Sequence, residues 1–410
     1  MKKLIAISLI ALNFVFFAII PQSRGATELP YVSPDQYGAK HQLITLGQLG
    51  KTQSDINAIY PGLGCTTGTM VDAAAWRKAL SKAGSSGKMI IAFGTYFFGN
   101  DSAAFPKSFR SISIWGGAYI NVTGTNGSPV FTRPRPTDNG DANIMIGSFV
   151  NINGLQIGCQ TGSQANRIGI EIGPTYNSVY TKVDCFSLAE AIHLRFALNT
   201  QINICESQYC NKGWTADMGN WPGASNSNSQ SNLTTFNQCR FNADNSDCAV
   251  GVLAASGCVV NNIIIEGLQV RVGIEFDSKG STVVKDLTVY NIHFECVNGA
   301  TEACVKARML GGILVIDGAF GQYPAVLVDA SQIAGTYPFI EVKHSRYWVP
   351  HPSKKYFVNN GCNWALNYNE NMLASASDAP NKFTGTVPSY CAGPANQCGA
   401  NTVTATLIPR

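Results

Sequence analysis

The stretch that decides the fold runs from residue 169 to residue 195 and reads GIEIGPTYNSVYTKVDCFSLAEAIHLR. Within it, Ile170 and Ile192 each follow a small residue and lie 22 residues apart. The same step from a small to an apolar residue recurs at Trp214, Val252 and Ile274. These later spacings are 22, 38 and 22 residues, and 38 equals 22 plus a 16-residue insertion. Such a period predicts a solenoid, in which each rung buries its apolar side against the next rung.

Other apolar residues of the chain are also spaced by 22 residues. Pairs of apolar residues with a spacing of 22 are Val183 with Cys205, Ile265 with Leu287, and Val305 with Leu327. From about residue 110, short β-type runs alternate with Gly and Asn, which indicates an all-β chain rather than βαβ units. A leucine-rich repeat has a similar period, but its Leu-x-x-Leu-x-Leu signature is missing here. We therefore predict about ten rungs between residues 100 and 345.

One helix is predicted ahead of these strands. Trp76, Leu80 and Ala83 lie on one apolar helical face. Asp72 is expected to cap the start of this helix by accepting a hydrogen bond from a first-turn N–H. Gly84 is expected to end it.

The composition narrows the kind of ligand. Apolar residues make up 45% of the 410 residues, which is enough for a large core. Charged residues make up only 13%, about half the usual share. The net charge is +4 and no Lys/Arg block is present, so nucleic acid is not an expected partner. A surface rich in Asn, Ser, Thr, Gln and Gly favours neutral, hydroxyl-rich ligands instead.

Residues 1–25 have the pattern of a cleaved targeting segment. Lys2 and Lys3 precede an apolar run over residues 4–20, and cleavage is expected after Gly25. The alternative is a membrane anchor, for which a run of 17 residues, broken only by Ser8 and Asn13, is at the lower limit of length. Because no second hydrophobic segment follows, the cleaved protein is expected to have no membrane partner and to be secreted or periplasmic.

The 13 cysteines suit an oxidising compartment. Closely spaced candidates for disulfides are Cys205/Cys210, Cys239/Cys248, Cys296/Cys304 and Cys391/Cys398. The sequence leaves their connectivity open, and the odd number leaves at least one thiol free or paired between chains. None of the spacings matches a zinc site, so no metal or other cofactor is expected.

We divide the chain into three segments. After the signal peptide at residues 1–25, a β-helix domain with its N-terminal cap is predicted over residues 26–345. Residues 346–410 lose the period and contain several prolines and three cysteines. They are predicted to form an irregular, disulfide-rich cap over the last rung, because an open rung would expose strand edges.

Two motifs resemble a known family. Residues 68–80, GTMVDAAAWRKAL, and residues 90–96, IIAFGTY, are similar to the start of the pectate-lyase superfamily, and Tyr37-Gly-Ala-Lys40 resembles its preceding Phe-Gly-Ala element. The motifs cover roughly residues 35–100, and the repeat alone covers the rest. The resemblance implies a right-handed parallel β-helix with an N-terminal capping helix. It does not fix an activity, since the superfamily contains lyases, hydrolases, epimerases, tailspikes and binding proteins.

The sequence also departs from that family. The Asn-Thr-Asp and Gly-His-Gly motifs of polygalacturonases are absent, and so is the Trp-Ile-Asp-His motif of pectate lyases. We therefore transfer no catalytic residue from the family, and site residues are predicted from the repeat itself.

One outward column carries two acids. Side chains one repeat apart lie on adjacent rungs, so Asp184 should lie next to Glu206, followed by Arg240, Glu266 and Thr288. Two carboxylates one rung apart approach the separation in retaining glycosidases, about 5–5.5 Å. One of them should then have a raised pKa and act as an acid, with Arg240 assisting. The alternative is a solvated acidic ladder balanced by one arginine.

A second outward column follows the interior residues of the deciding stretch. It reads Glu171, His193, Thr215, Leu253 and Glu275. His193 is predicted to assist catalysis, and Glu171 and Glu275 to bind substrate. The alternative is a hydrogen-bonded surface histidine.

The 16-residue insertion, residues 215–230, lies above this second column. It contains Trp221, which is predicted to stack on a sugar ring. The alternative is a tolerated surface loop.

Three functions stay open. The first is an extracellular polysaccharide-degrading enzyme, either a glycoside hydrolase or a polysaccharide lyase. The second is a non-catalytic carbohydrate-binding or adhesive β-helix. The third is a depolymerase similar to phage tailspikes, which a homotrimer in solution would favour. Release of sugar distinguishes the first from the second.

Overall fold

Parallel strands stacked in register form the body of the protein. The computed structural model describes residues 29–124, 126–159, 165–225, 230–242, 250–254, 257–267, 270–277, 286–296, 302–308, 313–322, 326–330, 339–344, 346–348, 355–359, 363–367, 372–373, 383–384 and 390–392. The predicted signal peptide at residues 1–25 lies outside them. The chain divides into a short unit, Met1–Tyr31, and a unit from Val32 to Arg410 that contains the stacked rungs.

The elements alternate short strands with tight corners. The strands are, in chain order, β1 (Tyr31–Val32), β2 (Met89–Gly99), β3 (Ala103–Ala104), β4 (Ser111–Val122), β5 (Phe131–Thr132), β6 (Phe149–Gly158), β7 (Ala165–Ile172), β8 (Thr175–Tyr176), β9 (Val179–Phe186), β10 (Leu188–Arg195), β11 (Ala197–Leu198), β12 (Gln201–Asn203), β13 (Glu206–Gln208), β14 (Lys212–Asp217), β15 (Thr234–Asn237), β16 (Arg240–Asn242), β17 (Val250–Ala254), β18 (Cys258–Asn261), β19 (Ile264–Gly267), β20 (Val272–Asp277), β21 (Leu287–Cys296), β22 (Ala303–Arg308), β23 (Ile313–Gln322), β24 (Val326–Ala330), β25 (Phe339–Lys343), β26 (Arg346–Trp348), β27 (Lys355–Asn359), β28 (Asn363–Asn367), β29 (Met372–Leu373), β30 (Phe383–Thr384) and β31 (Tyr390–Ala392). The helices are a 3₁₀ turn (Pro34–Tyr37), α1 (Gln53–Ile59), α2 (Val71–Ser86) and α3 (Asn139–Met145).

Within the described residues, the strands form one sheet of 18 strands, a second of 11 and a small one of two. The second sheet takes one strand from each rung, beginning with β3 and ending with β30. Nine of its eleven strands, β3 to β24, lie between residues 100 and 345, where about ten rungs were predicted. The strands pair in parallel, as in β9 with β12 and β10 with β14, which is the arrangement of a parallel β-helix.

The predicted interior column is confirmed. Ile192 pairs with Ile170 on one side and with Trp214 on the other, and the register continues through Val252 to Ile274. All five side chains are at most 1% exposed. Further along, the column continues to Val305 and then to Val328, not to the predicted Leu327, because this rung is one residue longer.

The second predicted column holds only at its beginning. The backbone N–H of Val183 lies 3.4 Å from the thiol of Cys205, so these residues are neighbours on adjacent rungs. Ile265 and Leu287 are not neighbours, because Leu287 pairs with Cys258, 29 residues earlier. A longer rung at this point shifts the register by seven residues.

Within the described residues, a left-handed backbone corner recurs in the rungs of the large sheet from Gly94 to His344. In the early rungs the corner residue is glycine: a Cβ on Gly154 would lie 1.9 Å from the carbonyl oxygen of Gly116. In later rungs the same corner holds non-glycine residues with φ near +50°, such as Lys182, Ile204 and Gln238. A left-handed residue that carries a Cβ costs roughly 1–2 kcal/mol. The stacked neighbours must therefore impose this conformation.

Helix α2 confirms the predicted helix but not its ends. Asp72 lies in the first turn, and its carboxylate accepts hydrogen bonds from the backbone N–H groups of Lys40, His41 and Phe97. It therefore ties the segment before the helix to β2, whereas Met70 occupies the cap position. The helix continues past Gly84 and ends at Gly87, whose φ of 70° closes the last turn. The role of this helix as a cap stays a prediction.

Parallel pairing continues past residue 345. Strands β28 and β31 extend the large sheet as far as Ala392, and β27 and β30 extend the second sheet. Strands of the same two sheets therefore lie on both sides of residue 345, and the predicted domain boundaries stay a prediction. The side chains of the last cysteines, and their predicted pairing, lie outside the described residues.

Three of the predicted disulfides are absent. Cys205, Cys239 and Cys304 have buried, free thiols, so the pairs Cys205/Cys210, Cys239/Cys248 and Cys296/Cys304 are not formed. The thiols of Cys205 and Cys239 lie 3.4 Å and 3.3 Å from the carbonyl oxygens of Asn203 and Asn237. These cysteines therefore act as small apolar residues of the core. Among the described residues, no helix has both the length and the apolar character needed to cross a membrane.

The first prediction concerns the interior column. Ile192→Asp places an unpaired carboxylate in the core, so the free energy of unfolding should fall by several kcal/mol, roughly 3–5. Ile264→Asp is the matched control, because Ile264 is 42% exposed on a strand of the neighbouring sheet. Chemical denaturation followed by circular dichroism measures both. Equal losses in the two variants would show that the register is wrong.

Candidate functional site

The predicted site residues separate into two clusters on two sheets. Asp184, Glu206 and Arg240 lie on the large sheet, in β9, β13 and β16. Glu171 and His193 lie on the second sheet, in β7 and β10. The cavities at the two clusters share no residue. The single site that we predicted from the sequence is therefore two sites.

The carboxylate cluster follows from the ladder of adjacent rungs. Ser207 pairs with Cys185, which places Glu206 one rung from Asp184 as predicted. The backbone N–H of Glu206 donates a hydrogen bond of 3.1 Å to Oδ1 of Asp184. The backbone of one rung thus orients the acid of the next, and no flexible loop is needed to position either carboxylate.

The two carboxylates line an open cavity of about 220 Å³. Its lining residues are Gln156, Asp184, Cys185, Phe186, Glu206 and Gln208. The ring of Phe186 stacks on Tyr119 at 5.3 Å between centroids, with 20° between the planes. The cavity therefore combines two acids, two amides and an aromatic wall, which are the groups that sugars bind.

The environment distinguishes Asp184 chemically. Burial raises the pKa of Asp184, and the nearby charge of Glu206 raises it further. The backbone hydrogen bond from Glu206 and the side-chain hydrogen bond from Gln156 oppose this shift without cancelling it. Asp184 therefore holds its proton to a higher pH than an ordinary aspartate, as a general acid requires.

Arg240 lies beside Glu206 as predicted, but the rest of the column differs. The backbone of Arg240 pairs with Ile264, while Glu266 pairs with Asn242, so neither Glu266 nor Thr288 continues the column. The guanidinium of Arg240 still contacts both acids: Nη1 lies 3.4 Å from Glu206, and Nε lies 2.7 Å from Glu266. The hydrogen bond to Glu266 raises the pKa of Arg240, which stays a fixed positive charge beside the cavity.

The second predicted column is in register but is not exposed. His193 pairs with Glu171 and with Thr215, and the column continues through Leu253 to Glu275. Glu171, His193 and Thr215 are 9%, 8% and 1% exposed. Their side chains point away from the core, but other parts of the chain cover them.

His193 lies between two carboxylates. Its Nδ1 is 3.0 Å from Oε2 of Glu190, and its Nε2 is 3.9 Å from Oδ2 of Asp217. Burial would raise the pKa of Glu190, but the hydrogen bond and the charge of His193 outweigh it and lower this pKa. His193 does not reach Asp184 or Glu206 in this arrangement, so the prediction that it assists them is wrong.

A narrow cleft of about 10 Å³, room for about one water molecule, lies beside this cluster. In its wall, Oε1 of Glu171 accepts a hydrogen bond of 2.6 Å from Nε of Arg195 and lies 3.5 Å from Arg135. The lining residues are Arg133, Arg135, Pro136, Glu171, Ile172, Gly173, Arg195, Asn220 and Trp221. Glu275 is not among them, because it lies further along the column and pairs with Arg308 at 3.1 Å.

Trp221 is not an exposed stacking surface. It is 6% exposed, and its ring packs against Phe196 at 5.5 Å between centroids. Its Nε1 donates a hydrogen bond of 2.8 Å to Oδ1 of Asn139 in α3. Trp221 thus fixes the inserted loop to α3, and only part of the residue reaches the cleft. The prediction that its ring stacks on a sugar is therefore wrong for this conformation.

Several residues of the two sites were missed from the sequence. Gln156 and Tyr119 belong to the carboxylate cluster, but they precede the clear repeat. Arg195 follows His193 by two residues and so shares its strand face, a signal that period-two alternation provides. Arg135 lies in a segment between strands and has no such signal. Among the described residues, no group of three or more His, Cys, Asp or Glu side chains has the arrangement of a metal site.

The second prediction concerns the packing of Trp221. Trp221→Ala removes the contact with Phe196 and the hydrogen bond to Asn139, so the inserted loop should become a target for limited proteolysis. Trp115→Ala is the control, because Trp115 is 44% exposed on β4. Mass spectrometry of the fragments locates the cuts. Equal resistance of the loop in both variants would contradict this role.

Comparison with known proteins identifies the fold. No family model and no curated protein sequence matches the chain. Among solved structures, ORF18 of Geobacillus virus E2 is 16% identical with a TM-score of 0.50, covering 84% of this chain and 62% of its own. The chain thus spans less than two thirds of that protein.

Two tailspike structures are also similar. A mutant tailspike of E. coli bacteriophage HK620, in complex with a pentasaccharide, is 11% identical with a TM-score of 0.57, covering 90% of this chain and 67% of its own. Tailspike gp49 of Pseudomonas phage LKA1 is 12% identical with a TM-score of 0.50, covering 89% and 81%. These similarities and the parallel sheets show that the chain has the right-handed parallel β-helix fold of the pectin-lyase-like type.

Proposed function

We propose that the protein is a polysaccharide-degrading enzyme, a glycoside hydrolase that cuts its substrate in the cavity of Asp184 and Glu206. The observation that carries the proposal is the pairing of a half-buried aspartate, whose pKa is raised, with a second carboxylate one rung away. Hydrolysis of a glycosidic bond needs this combination of a protonated acid and an ionised carboxylate.

The two acids take different roles. Asp184 donates its proton to the glycosidic oxygen as the bond breaks, because its environment favours the neutral form. Glu206 attacks the anomeric carbon, and the guanidinium of Arg240 lies 3.4 Å from its carboxylate. Water then displaces Glu206 while the Asp184 carboxylate accepts the proton. Neighbouring rungs are about 4.8 Å apart, which supports a retaining rather than an inverting mechanism.

Substrate binding is assigned to the rest of the cavity wall. The amides of Gln156 and Gln208 offer donors and acceptors to sugar hydroxyls, and the ring of Phe186 offers an apolar face. The HK620 tailspike, which has the same fold, is described in complex with a pentasaccharide. A chain of sugars lying across several rungs is the ligand that this surface suits.

Two further proposals concern the whole protein. Export through the segment at residues 1–25 would place the enzyme outside the cytoplasm, with its substrate. A homotrimer would fit the tailspike alternative, and the molar mass in solution tests it.

The second candidate function is binding without cleavage. Arg240 contacts both Glu206 and Glu266, so its positive charge offsets their negative charge. Such an arrangement is also expected of a surface row of charged residues that only stabilises the fold, and it therefore favours this second function. A screen of polysaccharides for new reducing ends distinguishes the two functions. An unsaturated product, detected by its ultraviolet absorbance, would instead indicate a lyase.

The third prediction concerns the carboxylate pair of Asp184 and Glu206. Asp184→Asn and Glu206→Gln should each lower kcat by about 10²–10⁴-fold, as expected for loss of an acid or a nucleophile. Glu266→Gln is the control, because Glu266 contacts Arg240 but does not line the cavity. Kinetics on the glycan found in the screen measures all three. Near-normal turnover of both cavity variants would refute the assignment.

Measuring the stability of the same variants separates an effect on catalysis from an effect on folding. A carboxyl group whose pKa is raised by folding contributes stability that is fully present below its unfolded pKa and is lost as the pH rises through its folded pKa. Asp184 is such a group, so Asp184→Asn should be at least as stable as the parent protein at neutral pH. A loss of activity in that variant then reflects chemistry.

The fourth prediction concerns pH. Activity should fall as the pH rises through the raised pKa of Asp184, because the acid must carry its proton. The hydrogen bond from Gln156 lowers this pKa, so Gln156→Ala should move the alkaline limb of kcat/KM to higher pH. Gln208→Ala is the control, since Gln208 lines the same cavity and does not contribute to this shift. An unmoved limb would exclude Asp184 as the acid.

A further inference from the structure

We propose that a groove at the start of strands β15, β18 and β21 is a second ligand site, which binds one sugar unit of a neutral polysaccharide. The groove shares no residue with the cavity of Asp184. The proposal therefore goes beyond the proposed cleavage reaction and does not rest on it.

The groove has room for a ligand. Its volume is about 270 Å³, compared with about 220 Å³ for the cavity of Asp184. Sites that enclose a whole small molecule have roughly 300–1,000 Å³, so this open groove suits a single sugar ring whose chain continues outside it. The lining residues on which the argument depends are Gln230, Asn232, Leu233, Val259, Asp286 and Thr288.

Three adjacent rungs hold the groove in place. Val259 on β18 pairs with Thr288 on β21, which places both side chains on one face of the sheet. The backbone of Asn232, just before β15, accepts a hydrogen bond from the N–H of Asn199 and donates one to the carbonyl oxygen of Ala197. The same backbone ladder that stacks the core therefore fixes the floor and one wall of the groove.

Leu233 is a residue that the fold alone does not explain. Its neighbours on the two preceding rungs are Asn199 and Asn177. All three residues have a left-handed backbone, with φ of 55°, 48° and 53°. Asparagine tolerates this conformation, whereas a leucine is strained in it. The third rung thus carries an unfavourable residue where the first two carry a favourable one.

The leucine also ends a row of side-chain hydrogen bonds. Nδ2 of Asn199 donates a hydrogen bond of 2.5 Å to Oδ1 of Asn177, and a third asparagine would extend this row. Leu233 is instead 67% exposed where it lines the groove, so it contributes little to the core. A strained backbone position that does not serve the core points to function. We assign Leu233 the apolar contact with the face of a sugar ring.

The polar groups of the groove supply both donors and acceptors. Nε2 of Gln230 is buried and has no hydrogen-bond partner among the described residues, so it is available to donate to a ligand. Asp286 is fixed through Oδ1, which accepts a hydrogen bond of 3.0 Å from the backbone N–H of Ile313. Its second oxygen and the hydroxyl of Thr288 are acceptors for sugar hydroxyls.

The charge of the groove selects among sugars. Asp286 is the one acidic or basic side chain among the lining residues that the structure describes, apart from the thiol of Cys258. A carboxylate repels the acid group of a uronate or a sulfated sugar, but it accepts hydrogen bonds from neutral hydroxyls. The ligand class is therefore a neutral sugar.

Binding of hexasaccharides tests the proposal, with Asp184→Asn as the parent protein so that cleavage does not interfere. The probes are three neutral hexasaccharides, cellohexaose, maltohexaose and mannohexaose, and the acidic hexagalacturonate. Calorimetry should show that at least one neutral probe binds more tightly than the acidic probe. Leu233→Asn and Asp286→Asn should each weaken this binding about tenfold or more. New reducing ends from the unaltered protein report cleavage separately, so failure of the proposed reaction and failure of this site are distinguishable.

Ile204→Asn is the matched control. Ile204 is also a left-handed corner residue, with φ of 54° and 47% exposure, and it lines neither the groove nor the cavity of Asp184. Both Leu233→Asn and Ile204→Asn should unfold at a temperature no lower than the parent, because asparagine suits the left-handed backbone. A loss of binding in Leu233→Asn alone then reflects a lost ligand contact.

Three results would overturn the site. The first is that no neutral probe binds, and the second is that the acidic probe binds most tightly. The third is that Leu233→Asn binds the neutral probe as tightly as Ile204→Asn does.

Discussion

The structure depends on one constraint, the parallel backbone ladder that holds each rung directly above the last. Because side chains one rung apart are neighbours, the ladder stacks Ile170, Ile192 and Trp214 in the core. The ladder also positions the side chains outside the core: it brings the backbone N–H of Glu206 within 3.1 Å of Oδ1 of Asp184 on the adjacent rung. Core and site therefore depend on the same register, and an error in one would appear in the other.

The ladder also explains how the solenoid keeps its corners. Gly154 is required because a Cβ would meet the carbonyl oxygen of Gly116, yet Lys182 and Ile204 hold the same left-handed corner one and two rungs later. The strain at each is roughly 1–2 kcal/mol, which is small beside the burial of several apolar side chains in the same rung. Packing between rungs thus outweighs local backbone preference, and glycine at a corner is not a reliable marker of the repeat.

The neighbours predicted from the sequence were right where the 22-residue period holds and wrong where a rung departs from that length. The column from Ile170 to Ile274 and the neighbourhood of Asp184 and Glu206 followed from a spacing of 22 residues. The prediction for Leu287 was wrong because its rung is longer than the period. Burial of Trp221 was missed for a different reason, since it depends on α3, which lies 82 residues earlier in the chain and has only seven residues.

The two clusters of predicted site residues differ in how they are held. Asp184 and Glu206 stand on strands, and the register of these strands fixes where both acids lie. The cleft of Arg135 instead depends on two excursions from the solenoid, the segment of α3 and the inserted loop, which Trp221 joins, so its walls can change in length without disturbing the core. The position of the acid pair depends on the rung register, so a change in the length of either excursion leaves it unaltered.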